Sequence, residues 1–229
     1  MAVWIMEESS GLQQDYRNVG HMLTKSPLLL ALYPLTPHLP INNACVLAVD
    51  LNTANTHLAL TESNRKMACV REQQLYPDHP ERFDRWCQVL CRESLTGRCY
   101  WEAEWSGGFG VYIAVTYKGI SRKGETSNSI FGLNGKSWSL DCNENSITAK
   151  HNNQSTGISV LSSPSKRVGV YLNWSAGTLS FYSVSDTHTL THLHTFNTKF
   201  TEPLYAGFGV YFDSSVSLCE IKQRPVKNN

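Results

Sequence analysis

Two carboxylates stand one residue apart in Trp101-Glu102-Ala103-Glu104-Trp105, the part of this sequence closest to acid–base machinery. On an extended strand Glu102 and Glu104 share a face. Some sandwich-fold glycoside hydrolases set acid, helper and nucleophile at alternate strand positions, as Glu-x-Asp-x-Glu. Here the third position is Ser106. Residues two apart on a strand are also separated by roughly 6.5–7 Å, whereas a retaining pair needs about 5–5.5 Å. Both glutamates are therefore expected to be solvated or hydrogen-bonded strand residues.

Other chemistry-bearing groups fall short in the same way. Gly135-Lys136-Ser137 is similar to the end of a phosphate-binding loop, but the first glycine of that loop would fall at Ile130 and no helical period follows. No Gly-x-Ser-x-Gly elbow is present, and no cysteine sits in a nucleophile context. His192 and His194 share a strand face and His188 is near them in sequence, yet no carboxylate or cysteine at ligand spacing joins them. Cys87 and Cys91 lack a second pair. No catalytic residue, metal or cofactor is expected, and the chain is expected not to be an enzyme.

The elements that must position any site are short. From Ala44 onward, β-branched and aromatic runs alternate with Gly, Asn, Ser and Asp clusters. This predicts strands at Cys45–Leu51, His57–Thr61, Lys66–Arg71, Gln88–Cys91, Cys99–Trp105 and Gly110–Thr116. Further strands are predicted at Ser137–Asp141, Ser146–His151, Arg167–Asn173, Thr178–Val184, Thr191–Phe196, Tyr205–Phe212 and Val216–Ile221. Many short strands without intervening helices favour an all-β, two-layer antiparallel sandwich over any α/β fold. Trp101, Ala103 and Trp105 should share the core face. Asn173-Trp174-Ser175-Ala176-Gly177 reads as a tight connection with Gly177 at positive φ.

Bulk properties narrow the function classes. The 229 residues suit one large β domain plus an arm, and 41% apolar content suits a packed core. A formal charge of +1 gives no generic pull towards nucleic acid or acidic lipid. The apolar stretch Leu28–Leu35 is far shorter than the roughly 20 residues a membrane helix needs. Acidic Glu7, Glu8 and Asp15 stand where a secretory signal would begin, so a cytoplasmic protein is expected. Seven scattered cysteines, an odd number in mostly apolar runs, are expected to be reduced, buried thiols, with a disulfide framework as the alternative. Residues 1–43 carry Pro27, Pro34, Pro37 and Pro40 and read as an irregular arm, with a short helix around Leu12 to Leu23 as one option. No heptad pattern is present to drive oligomerisation, and a monomer is expected in isolation.

Three ordered motifs carry a family resemblance. Val49-Asp50-Leu51-Asn52-Thr53-Ala54 is similar to a Leu-Asp-Pro-type opening, and Trp101-Glu102-Ala103-Glu104 to a Trp-Glu-Val-Glu strand. The run Val168-Gly169-Val170-Tyr171-Leu172-Asn173-Trp174-Ser175-Ala176-Gly177-Thr178-Leu179-Ser180-Phe181-Tyr182 follows the longest signature, and Phe200-Thr201-Glu202-Pro203-Leu204-Tyr205 fits the segment before the final strands. Residues 44–222 thus resemble a PRY-SPRY domain, with PRY over about 44–92, SPRY over about 93–222 and a tail at 223–229. This module ends many tripartite-motif proteins, butyrophilins, fish NOD-like receptors and stonefish-type toxin subunits, and the match looks most like fish members. Asn173 stands where the family usually has Asp, and an asparagine still accepts the turn hydrogen bond.

The resemblance implies a curved sandwich (SPRY, concanavalin-like) that recognises another protein through variable loops, as in innate-immune or ubiquitin-pathway proteins. The loops map to Gln73–Arg85, Tyr117–Asn134, Asp141–Asn145, Asn152–Pro164 and Tyr211–Ser215. Tyr76, His79, Arg82 and Phe83 mix the aromatic, basic and hydrogen-bonding chemistry of interface hot spots. Arg122, Lys123, Phe131, Asp141, Asn143 and Phe212 are further candidate contacts. The alternatives are a lectin-like module binding carbohydrate, and a fragment of a larger receptor, ligase or toxin subunit.

Overall fold

The computed structural model describes residues 43–159 and 165–221. The arm expected at 1–43 and the tail at 223–229 therefore lie, but for Asn43, outside the described residues. Among the described residues, thirteen strands follow in order: β1 Leu58–Thr61, β2 Lys66–Cys69, β3 Gln88–Leu90, β4 Arg98–Ser106, β5 Val111–Tyr117, β6 Ser137–Cys142 and β7 Ile147–His151. After them come β8 Gln154–Ile158, β9 Arg167–Asn173, β10 Thr178–Val184, β11 Leu190–Asn197, β12 Leu204–Val210 and β13 Ser215–Leu218. They build a seven-stranded sheet, β1-β2-β13-β4-β9-β10-β11, and a six-stranded sheet, β3-β12-β5-β6-β7-β8. All strand pairs in both sheets are antiparallel.

Alternation decides which side chains the two sheets share. Trp101, Ala103 and Trp105 of β4 turn inward, as expected, and meet Val111, Ile113 and Val115 of β5 in one large core. Residues between them turn outward. Ala114 of β5 and Leu90 of β3 belong to a second, smaller cluster with Phe83, Ile120 and Phe131. Those three come from segments outside the strands, so loops cover part of the outer face of the six-stranded sheet.

Two strand expectations needed correction. Cys45–Leu51 is not a strand; it is extended chain joined by isolated bridges, Ala44 with Tyr100 and Val49 with Cys91. Within the expected loop Asn152–Pro164, residues Gln154–Ile158 instead form β8 on β7, and 160–164 lie outside the described residues. The connection after Asn173 is as expected: Gly177 has φ 69, and Asn173 Oδ1 accepts from Ser175 Oγ at 3.2 Å and Ala176 N–H at 3.3 Å.

The cysteine reading is also corrected. Cys45–Cys99 and Cys69–Cys87 are disulfide-bonded, with Cα–Cα separations of 5.5 and 6.1 Å, inside the span such bonds require. Tertiary packing brings them together from 54 and 18 residues apart, which no local pattern announces. Cys91, Cys142 and Cys219 remain free. Burial holds the Cys91 and Cys142 thiols well above their ordinary range and pushes Cys219 up to about 11, so none is a ready nucleophile.

Candidate functional site

Two loops lie on the outer face of the six-stranded sheet because Leu90 and Ala114 there are apolar and need cover. Phe83 from the first loop and Phe131 from the second meet edge to face, centroids 5.7 Å apart. The Arg122 guanidinium lies 4.8 Å from the Phe83 ring and donates to Ile120 O and Lys118 O. Arg82 donates to Leu51 O at 2.8 Å, to Ala54 O at 2.5 Å and to Pro77 O at 2.6 Å, with its guanidinium 5.3 Å over the Tyr76 ring. Lys123 Nζ reaches Arg82 O at 3.0 Å. Gln88 of β3 clamps the second loop by donating to Ser129 O and accepting from Phe131 N–H.

This changes the role of several residues singled out from sequence. Arg82, Phe83, Arg122 and Phe131 are 5%, 1%, 9% and 0% exposed, so they present almost nothing to a partner. They fasten the loops to the sheet. Tyr76 is half-buried, its hydroxyl donating to Leu58 O at 2.6 Å, and burial raises its pKa. His79 accepts from Glu81 N–H. The structure does bring Tyr76, Arg82, Phe83, Arg122, Lys123 and Phe131 together, as a scaffold.

Where that cover stops, a groove of about 340 Å³ opens. Tyr112, Tyr211, Phe212 and Trp86 line it with Ile130, and Cys69, Arg85, Cys87, Gln88, Gly209 and Val210 complete its lining. Tyr112 and Tyr211 share a hydroxyl–hydroxyl hydrogen bond with rings 5.2 Å apart. Burial and then that shared bond raise the Tyr112 pKa, and burial raises that of Tyr211, so both phenols are neutral. Asp141 stands opposite Tyr112 across β5 and β6. Its Oδ2 accepts from Lys150 Nζ at 2.6 Å, and its buried Oδ1 has no hydrogen-bond partner. The Arg71 guanidinium sits 5.1 Å over the Phe212 ring, and Arg85 pairs with Glu125.

Of the ten residues expected at the site, Phe212 lines this groove, and Asp141 stands behind it as the cross-strand neighbour of Tyr112. Asn143 is spent on its own turn, accepting from Asn145 N–H and Ser146 N–H at 2.9 Å each. Sequence reasoning missed Trp86, Tyr112 and Tyr211. Tyr112 had a usable signal, since it is the outward position between Val111 and Ile113 of a core strand. Trp86 and Tyr211 are large aromatics at loop–strand junctions, a weaker sign.

Glycine at 209 makes the Tyr112 wall possible. A Cβ there would stand 2.9 Å from Tyr112 Cδ2 and 3.2 Å from Tyr112 Cβ, closer than packing allows. Gly209→Ala should therefore push Tyr112 off Tyr211 and cost about 1–3 kcal/mol, the usual range for overpacking. Chemical denaturation would show this as a lower midpoint; an unchanged midpoint with native tyrosine fluorescence would refute it.

The carboxylates that opened the sequence argument are engaged elsewhere. Glu102, 5% exposed, accepts from the Tyr100 hydroxyl at 2.8 Å and lies 3.6 Å from Arg167; exposed Glu104 pairs with the same arginine at 3.3 Å. His192 bonds Thr195 and His194 packs edge-on against Phe196. None of these groups lines the groove.

Family models match two consecutive segments, the SPRY-associated domain (PRY) over residues 47–95 and the SPRY domain over residues 98–223. Stonustoxin subunit beta of Synanceia horrida is 47% identical over 165 residues, covering 72% of this chain and 23% of the toxin subunit. Tripartite motif-containing protein 16 of Mus musculus is 41% identical over 187 residues, 80% of this chain and 33% of that protein. The chain thus spans about a quarter to a third of the length of these relatives. Among solved structures, the TRIM65 PSpry domain superposes with a TM-score of 0.70 at 28% identity, covering 79% of this chain and 94% of that one.

Proposed function

The chain belongs to the PRY-SPRY family, and from that premise we propose that it is a protein-recognition module whose groove takes an extended segment of a partner. The observation that carries this reading is the aromatic wall of Trp86, Tyr112, Tyr211 and Phe212, where Trp86, Tyr211 and Phe212 are each exposed by more than a third. Aromatic clusters left open on a rigid scaffold are the usual anchors of protein interfaces. Arg85 lines the groove and Arg71 stacks on its Phe212 wall. The fitting ligand is therefore a segment with one large apolar side chain and acidic flanks. A sugar would need several free polar groups. Here the two tyrosine hydroxyls already bond each other, and the Gln88 amide is spent on the second loop.

No step of this reading involves catalysis. The test is selection of a random peptide display library on the full 229-residue chain, with a Trp86→Ala/Tyr211→Ala double variant as counter-target. Enriched peptides with an apolar centre and acidic flanks, lost on the variant, are expected. Peptides retained equally by the variant, or binding confined to a glycan array and competed by free saccharide, would overturn the reading.

A further inference from the structure

Cys69 and Cys87 line the groove itself. Cys69 ends β2 in the seven-stranded sheet, and Cys87 immediately precedes β3 in the six-stranded sheet, so their bond ties one sheet to the other at the binding surface. Their main chains hold the same turn from two sides. Cys69 N–H donates to Ser214 O at 3.3 Å and Cys69 bridges Phe212, while Cys87 O accepts from Val210 N–H at 2.9 Å. That turn carries Tyr211 and Phe212, and Trp86 is the residue before Cys87. Three of the four aromatic walls thus hang on residues next to this crosslink.

We propose that the Cys69–Cys87 disulfide is a redox-sensitive staple for the groove, which is formed in the oxidised chain and opened by a dithiol reductant. The inference rests on the groove reading above. The segment between the two cysteines is pinned in its middle by Tyr76, Arg82 and Phe83, whose bonds do not involve sulfur. Cutting the crosslink therefore frees the Trp86 and Phe212 walls to separate and leaves the rest of the loop in place. Cys87 is partly exposed within the groove, within reach of a small thiolate. A reductant thiolate attacks Cys87 Sγ, and the Cys69–Cys87 bond breaks, releasing the Cys69 thiolate, which takes a proton. The second thiol of the reductant then attacks the mixed disulfide and releases Cys87, also protonated. Two electrons and two protons pass to the protein, and the dithiol leaves as its cyclic disulfide.

The test begins without any ligand. The full chain, equilibrated with oxidised glutathione, is mapped by non-reducing peptide mass spectrometry. Iodide quenching of Trp86, isolated by comparison with Trp86→Phe, is then followed as dithiothreitol is added. The expected result is a Cys69–Cys87 linked peptide, a rise in Trp86 quenching as that peptide disappears, and a tenfold or greater loss of affinity for the display-selected peptides. Cys69→Ser/Cys87→Ser should behave as the reduced chain and ignore dithiothreitol; Cys45→Ser/Cys99→Ser should keep the response. Absence of the linked peptide, or its reduction with quenching unchanged, would overturn the staple. If quenching responds but no display peptide binds, the staple stands and the recognition reading fails.

Discussion

Trp86→Ala is expected to weaken groove-binding peptides by about thirty-fold, which corresponds to roughly 2 kcal/mol, while moving the melting temperature by no more than a degree or two. The indole is 37% exposed and makes no side-chain hydrogen bond among the described residues. Its removal therefore orphans no hydrogen-bond partner within the fold, and the space it vacates opens onto the groove. A ligand that covers it would gain the exposed third of a large aromatic side chain. Calorimetric titration with the selected peptides, beside a thermal melt, separates the two effects. Unchanged affinity would remove Trp86 from the interface. A large affinity loss with an equally large fall in melting temperature would make it a structural residue.

The opposite pattern is expected at Arg82. Its guanidinium is 5% exposed and satisfies the carbonyls of Leu51, Ala54 and Pro77. Alanine would strand three acceptors and remove the stack on Tyr76, at a cost of about 3 kcal/mol. In a domain of this size that lowers the melting temperature by roughly 6–12 °C. Lysine should rescue little, since an ammonium cannot spread its donors over three separated carbonyls in one plane. Peptide affinity, measured well below the melting transition, should stay near native. A variant that melts like the native chain yet loses peptide binding would return Arg82 to the role of a contact residue.

These two residues show where the sequence could be read and where it could not. Both lie in one stretch of loop chain, four positions apart, and both have residue types enriched at interfaces. Arg82 was singled out and Trp86 was not, although the structure exposes Trp86 and buries Arg82. Residue type states what a side chain can do. In a loop without a repeating period, nothing local states which way it points.

Strands are the contrary case. From Gln88 onward nearly all were legible, because a half-buried strand writes its two faces into alternate positions, as in Trp101-Glu102-Ala103-Glu104-Trp105. β8 was missed because it is an edge strand whose residues Gln154-Ser155-Thr156-Gly157 are all exposed; with no buried face it has no alternation, and pairing to β7 alone defines it. Cys45–Leu51 carried a strand-like composition but found only isolated bridges, since partner backbone is a property of the assembled sheet.

By itself, then, the sequence determined the all-β class, the core faces of the central strands, the turn at Gly177 and the PRY-SPRY family. Each rests on local periodicity or on a contiguous motif. Tertiary structure decided that Cys69 meets Cys87 and Cys45 meets Cys99, that Arg82 and Phe131 turn inward, and that Trp86, Tyr112, Tyr211 and Phe212 converge on one groove. Each of these depends on segments far apart in the chain being held together by the packing of two sheets, and no window of neighbouring residues contains that information.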